Sequence, residues 1–107
     1  MLRWKELFTT ISNEITKLDT DCKMMLIEEA DQFKNKIIIG DFFEICYGEF
    51  QGEFQKDEEG YTECFAAYYM SGDFFIKVKE SLDVHEIAYS ALSYIYVHLL
   101  IKEYLGE

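Results

Sequence analysis

Apolar residues recur every three or four positions through the first eighteen residues of the chain, and polar residues fill the other side. This spacing matches the 3.6-residue turn of a helix that buries one face. The sequence therefore predicts an amphipathic helix from Leu2 to Leu18. Its apolar face would consist of Trp4, Leu7, Phe8, Ile11, Ile15 and Leu18.

The next segment admits two interpretations. After a polar break at residues 19–21 that could cap a helix, the apolar residues from Cys22 to Phe33 again suit helical spacing. The run Met24-Met25-Leu26-Ile27 would serve equally well as a short strand. We predict a second helix here and keep the strand as the alternative.

The middle of the chain changes to the two-residue alternation and β-branched content of strands. Glycine and polar residues interrupt these stretches where turns would lie. The predicted strands are 37–39, 42–55, 61–70 and 74–79, with a loop at 56–60 and a hairpin turn at 71–73.

A tetrapeptide repeat, Gly-Glu-Phe-Gln written twice, occupies residues 48–55. Because side chains alternate between the two faces of a strand, this repeat predicts one apolar and one polar face. We expect the phenylalanines to face the core together with the glycines. The outward face would carry Glu49, Gln51, Glu53 and Gln55.

The last segment predicts a helix that begins after Asp83 and runs to about Leu105. Asp83 followed by Glu86 resembles a capping box. The helix is apolar almost all round, so we expect it either to cross the sheet centrally or to meet another chain. The predicted fold class is α+β: one two-layer domain over residues 1–107, with a three- to four-stranded antiparallel meander packed against N-terminal helices and a long C-terminal helix.

Charge and cysteine content narrow the classes of partner. The 107-residue chain has a formal net charge of −11. Domains that bind nucleic acids or anionic membranes directly are usually basic, so we expect neither partner. Three cysteines without CxxC spacing suit a reducing cytoplasm. The apolar run 87–101 is shorter than the roughly 20 residues of a membrane span.

Most of the acidic excess falls in residues 41–64, which hold eight acids and one base, net −7. One interpretation is a solvated outer face that keeps the protein soluble. The other is a recognition surface for a basic protein, because tyrosines beside carboxylates provide contact area and charge complementarity. The candidate partner-binding residues are Tyr47, Glu49, Glu53, Asp57, Glu58, Glu59, Tyr61 and Glu63.

The sequence gives little support for a catalytic activity. The only histidines, His85 and His98, lie thirteen positions apart on the predicted last helix, nearly 20 Å and too far to share a metal. We interpret His98 as a satisfied core histidine and His85 as a surface residue. The thiols of Cys46 and Cys64 would be buried in strands. We expect neither an enzyme nor a cofactor or metal.

These features favour a small cytoplasmic protein that binds and inhibits a basic protein. The leading hypothesis is a bacterial immunity protein that neutralises a nuclease toxin, and a phage-encoded inhibitor of a host nuclease follows the same physical logic. The alternative is an adaptor that resembles the small secretion chaperones in size and acidity. The protein would then be a dimer through its C-terminal helix rather than a monomer.

Overall fold

The structure is a computed structural model that describes residues 2–18, 21–28, 35–50 and 62–106. Its elements are helix α1 (Leu2–Leu18), strands β1 (Met24–Glu28), β2 (Asn35–Ile39), β3 (Phe43–Phe50), β4 (Thr62–Ser71) and β5 (Phe74–Ser81), and helix α2 (Val84–Tyr104). The strands form one antiparallel sheet in the order β1-β2-β3-β4-β5. The predicted α+β meander is confirmed, with five strands rather than three or four.

Both helices contribute to one core on a single face of the sheet. The predicted apolar face of α1 supplies Trp4, Leu7, Ile11 and Ile15, each no more than 2% exposed. The indole of Trp4 stacks on the ring of Phe65 from β4, with centroids 5.8 Å apart. Since α1 reaches the sheet through this face, the two-layer arrangement follows directly from its three- and four-residue spacing.

Helix α2 buries only one stripe, although it is apolar around most of its circumference. Its buried residues recur every four positions: Ile87, Ala91, Ile95 and Leu99. Within one chain α2 is therefore not buried on several sides, and the alternative expectation, that one side meets another chain, stays a prediction. Val84, Ala88 and Leu92 are partly buried beside this stripe, whereas Tyr89, Tyr94, Val97, Leu100, Ile101 and Tyr104 are exposed. One sheet and one neighbouring helix do not cover the whole circumference of α2.

The start of α2 differs slightly from the predicted capping box. The Asp83 side chain accepts a hydrogen bond from the His85 backbone N–H at 2.8 Å, as an N-cap should. Glu86 does not return to the Asp83 backbone. Its Oε2 accepts from Ser81 Oγ at 2.5 Å, and Ser81 Oγ accepts from the Asp83 N–H at 3.0 Å. Ser81 thus links the end of β5 to the first turn of α2.

The predicted second helix is wrong where it is described, because residues 24–28 form strand β1. The antiparallel register pairs Met24 with Ile39 and Leu26 with Ile37. Met24 and Leu26 pack against the core, whereas Met25 between them is 58% exposed. A short apolar run is compatible with the periodicity of a helix or of a strand. Pairing with the β-branched strand β2 favours the strand. The remainder of the predicted helix, 29–33, lies outside the described residues.

The predicted faces of β3 are reversed over its described part. Phe43, Ile45 and Tyr47 face the helices and belong to the core, whereas Cys46 belongs to a small cluster on the other face. Gly48 alternates with Tyr47 and therefore lies on the face opposite the core. The repeat had predicted that Gly48 would lie on the core face. Two-residue alternation fixes which residues share a face but not which face is buried.

Candidate functional site

The predicted acidic surface is only partly within the described chain. Tyr47 does not lie on an outer acidic face: its ring packs against Phe65 of the core, with centroids 4.8 Å apart. Glu49 and Glu63 occupy directly opposed positions in the β3–β4 ladder. Their side chains lie outside the described part. Five further predicted residues lie outside the described residues entirely: Glu53, Asp57, Glu58, Glu59 and Tyr61.

The opposed glutamates mark one end of the sheet. From Glu63, strand β4 runs to Ser71, where the turn into β5 begins. Eight residue steps at about 3.3 Å each place the two ends about 25 Å apart. Any site at the turn end of the sheet is therefore separate from the acidic end.

A groove of about 880 Å³ lies at that turn end, between α2 and β5. The turns at 21–23 and 40–42 border it, and this volume falls within the range of ligand and side-chain pockets. Two acids and two bases line it, Asp21, Asp41, Lys23 and Lys102, so its lining has no net charge. Its apolar lining comprises Phe42, Tyr69, Ile76, Val78, Tyr94, Val97, Leu99, Ile101 and Leu105.

Two aromatic rings, those of Phe42 and Tyr69, contact His98 in the groove lining. The Phe42 ring stacks on the imidazole, with centroids 3.7 Å apart and planes 8° from parallel. Tyr69 Oη and His98 Nδ1 share a hydrogen bond of 2.8 Å. Burial lowers the pKa of His98 below its usual value, and the positive charge of Lys102 lowers it further, although Asp41 raises it. The lowered pKa favours the neutral imidazole, which two aromatic neighbours hold in place. His98 is therefore satisfied as predicted, but it lines the groove instead of lying in the core.

Gly40 sets the shape of the turn beside this stack. It adopts a left-handed φ of 54°, and its N–H donates to the Lys23 carbonyl at 2.7 Å. A Cβ at this position would lie 2.9 Å from Phe42 Cε1 and 3.7 Å from Cys22 Sγ. Glycine is therefore required here both for the backbone conformation and for the close approach of Phe42.

Strand β5 forms an edge of the sheet next to the groove. Its first three side chains are apolar and largely exposed: Phe74 at 75%, Phe75 at 59% and Ile76 at 54%. Ile76 also lines the groove. An edge strand offers unpaired backbone donors and acceptors, so this strand and the groove together can accept an extended polypeptide.

The cysteines on the opposite face show no sign of reactivity. Cys46 and Cys64 are buried free thiols beside Tyr68. Burial raises the pKa of Cys46 to about 12, and the negative charge of Glu44 raises it further. Burial raises the pKa of Cys64 to about 11. Because the thiolate is the nucleophile, these groups are structural at neutral pH.

Within ranges 2–18, 21–28, 35–50 and 62–106, no three His, Cys, Asp or Glu side chains come together as a metal ion would require. In the same ranges, neither helix combines the length and hydropathy needed to cross a membrane.

Comparison of the chain with protein-family models, curated proteins and solved structures finds no match.

The groove itself was not predicted from the sequence. Its only sequence signal was the surplus of apolar residues on α2, which indicated a second contact surface but not its location.

Proposed function

We propose that the protein acts by binding another protein, and that the groove between α2 and β5 receives an extended apolar segment of that partner. The supporting observation is the continuity between an open apolar groove and an exposed edge strand. Ile76 belongs to both, since it lines the groove and is 54% exposed on β5. A partner strand added to β5 would gain backbone hydrogen bonds and place alternate side chains in the groove.

The lining favours apolar side chains over charged ones. With two acids and two bases around it, the groove has no charge preference. Tyr69 and His98 satisfy each other through their hydrogen bond, so the groove does not require a ligand to complete them. We therefore propose a partner segment that carries apolar residues at alternate positions.

A second candidate keeps the inhibitor hypothesis and uses the other end of the sheet. Glu49 opposite Glu63 places two acids at one step of the ladder, and like charges directly opposed are destabilising. Cations of a basic partner would offset this repulsion. In this version the protein is a cytoplasmic inhibitor of a basic toxin or nuclease, of the immunity type, and the acidic segment 41–64 steers the encounter.

Site-specific photo-crosslinking in the source cell tests the groove proposal. A photoreactive phenylalanine analogue replaces Ile76 in one variant and Met25 in the other. Met25 is a matched control, because it is 58% exposed on β1 at the opposite edge. The proposal expects one adduct specific to position 76. Binding of the purified adduct protein should then weaken at least tenfold in Ile76→Glu and remain unchanged in Met25→Glu.

Charge reversal separates the two candidates. The variant Glu49→Lys, Glu53→Lys, Glu58→Lys, Glu59→Lys should leave groove binding almost unchanged, because the described lining of the groove does not include these four residues and its own charges balance. Under the inhibitor proposal, the same variant associates more slowly and loses its salt dependence. Equal adducts at positions 76 and 25 would reject the groove, whatever the charge-reversal variant does.

A further inference from the structure

Helix α2 carries a second apolar surface that faces away from the sheet. Its central positions, Ser93, Val97, Leu100 and Tyr104, follow one another at intervals of four, three and four residues. This is the spacing with which two helices pack against each other along a seam. Val97 is 56%, Leu100 54% and Tyr104 90% exposed, and Ser93 is also exposed.

We propose that this surface, the outer stripe of α2, is the interface between two copies of the chain, packed antiparallel about a two-fold axis near Val97. The stripe is self-complementary in that arrangement. With the axis midway between Tyr96 and Val97, Ser93 of one copy lies opposite Leu100 of the other, so a small side chain meets a large one. Tyr89, which is 77% exposed, then lies opposite Tyr104. A two-fold interface uses the same patch twice, as this pairing requires.

The exposed area is sufficient for a specific dimer. Two exposed neighbours, Ile101 at 53% and Leu105 at 61%, extend the outer stripe. Together these side chains leave about 600 Å² uncovered per copy, at the upper limit of apolar patches on monomeric proteins. Two copies would bury about 1,200 Å², the lower limit for stable specific interfaces.

Charge distribution permits this contact in spite of the net charge of −11. No position of the stripe, Tyr89, Ser93, Val97, Leu100 or Tyr104, is charged. The largest acidic excess, net −7, lies in residues 41–64, outside α2. Two acidic copies still repel at long range, so added salt should strengthen the dimer. A basic partner would respond in the opposite direction.

Sedimentation equilibrium of the purified chain tests the proposal, at about 1 to 200 µM and at low and high salt. We expect a reversible dimer that salt strengthens. Leu100→Glu should raise its dissociation constant about a hundredfold, because a two-fold interface contains the substitution twice. The matched control Met25→Glu, also at a largely exposed apolar position, should leave the dimer unchanged. A monomer throughout this range, or equal effects of the two variants, would overturn the proposal.

Disulfide trapping tests the antiparallel register. Chains carrying Ser93→Cys and chains carrying Leu100→Cys, with different tags, are mixed and oxidised mildly, beside the unsubstituted chain as a control for the native cysteines. The proposal expects the mixed 93–100 disulfide in excess over the 93–93 and 100–100 products. A predominance of the like pairs would indicate parallel helices and reject this register. The substituted residues Ser93, Leu100 and Met25 do not line the groove, so these variants test the dimer without altering the groove lining. Val97, Ile101 and Leu105 belong to both surfaces, so the dimer would compete with a partner segment for the groove.

Discussion

Replacing Gly40 by alanine should destabilise the fold more than the same replacement at Gly72. Both glycines have left-handed φ angles, 54° and 60°. An L-residue in this conformation costs about 1 kcal/mol, and reduced freedom of the unfolded chain offsets part of that cost. At Gly72 a new Cβ meets nothing within 4 Å, so Gly72→Ala should cost less than about 1 kcal/mol.

At Gly40 the added methyl group would also meet the Phe42 ring, 2.9 Å from Cε1 and 3.0 Å from Cδ1. This ring is only 5% exposed and stacks on His98, so it cannot move aside without loss of packing. Overpacking of this kind typically costs about 1–3 kcal/mol. We therefore expect Gly40→Ala to be about 2 kcal/mol less stable than Gly72→Ala.

Urea unfolding followed by the fluorescence of Trp4, the only tryptophan, measures both variants. Trp4 is 2% exposed in the core, so its emission should report global unfolding. In thermal unfolding the difference should appear as roughly 10 °C between the two midpoints. Equal stabilities of Gly40→Ala and Gly72→Ala would refute the argument that Phe42 is fixed by its neighbours.

Three further predictions concern the core, one histidine and the thiols. Ile95→Ala should lower the free energy of unfolding in urea by about 2–5 kcal/mol, because the side chain is fully buried. The control Met25→Ala, at an exposed position, should lower it by less than about 1 kcal/mol. Similar losses in the two variants would contradict the assigned core. Because the pKa of His98 is lowered in the folded state, its contribution to stability is present above about pH 6.5 and is lost as the pH falls below that value. His98→Gln should therefore reduce the loss of stability between about pH 7 and pH 5, and an unchanged pH profile would argue against a neutral imidazole in the groove lining. Cys46 and Cys64 have pKa values raised to about 12 and about 11, so both thiols should resist a disulfide exchange reagent in the folded protein. Both should react with the reagent in urea. Rapid labelling of either thiol without denaturant would show that it is not buried.

Three parts of the fold could be predicted because each follows one hydrophobic period over many residues. These are α1, α2 and the strand-rich middle of the chain. Strand β1 could not, since Met24-Met25-Leu26-Ile27 fits a helix or a strand equally well. Its pairing with Ile37–Ile39 is a contact between separate segments, which local spacing does not contain. The orientation of β3 failed for a related reason: Gly48, the first residue of the repeat, lies on the same face as Cys46, while Tyr47 and Ile45 reach the core.

The site was harder to predict because it consists of residues from five places in the sequence. Phe42, Tyr69 and His98 meet only after the β2–β3 turn, β4 and α2 have assembled. Beside the surplus of apolar residues on α2, His98 stood out as a polar residue within an apolar run, but neither feature located the groove. The predicted acidic set rested on neighbours in sequence, and its one fully described side chain, Tyr47, belongs to the core.

The two unusual features of the composition, an excess of acid and an excess of exposed apolar surface, can have one common explanation. A chain that exposes Phe74, Phe75 and the outer stripe of α2 would self-associate without order if nothing opposed it. A net charge of −11 opposes random association at long range. The groove lining itself has no net charge, because Asp21 and Asp41 are balanced by Lys23 and Lys102, so charge does not obstruct a specific contact there. On this argument the acids keep the binding surfaces free for their proposed partners, and recognition by charge is not required to account for them.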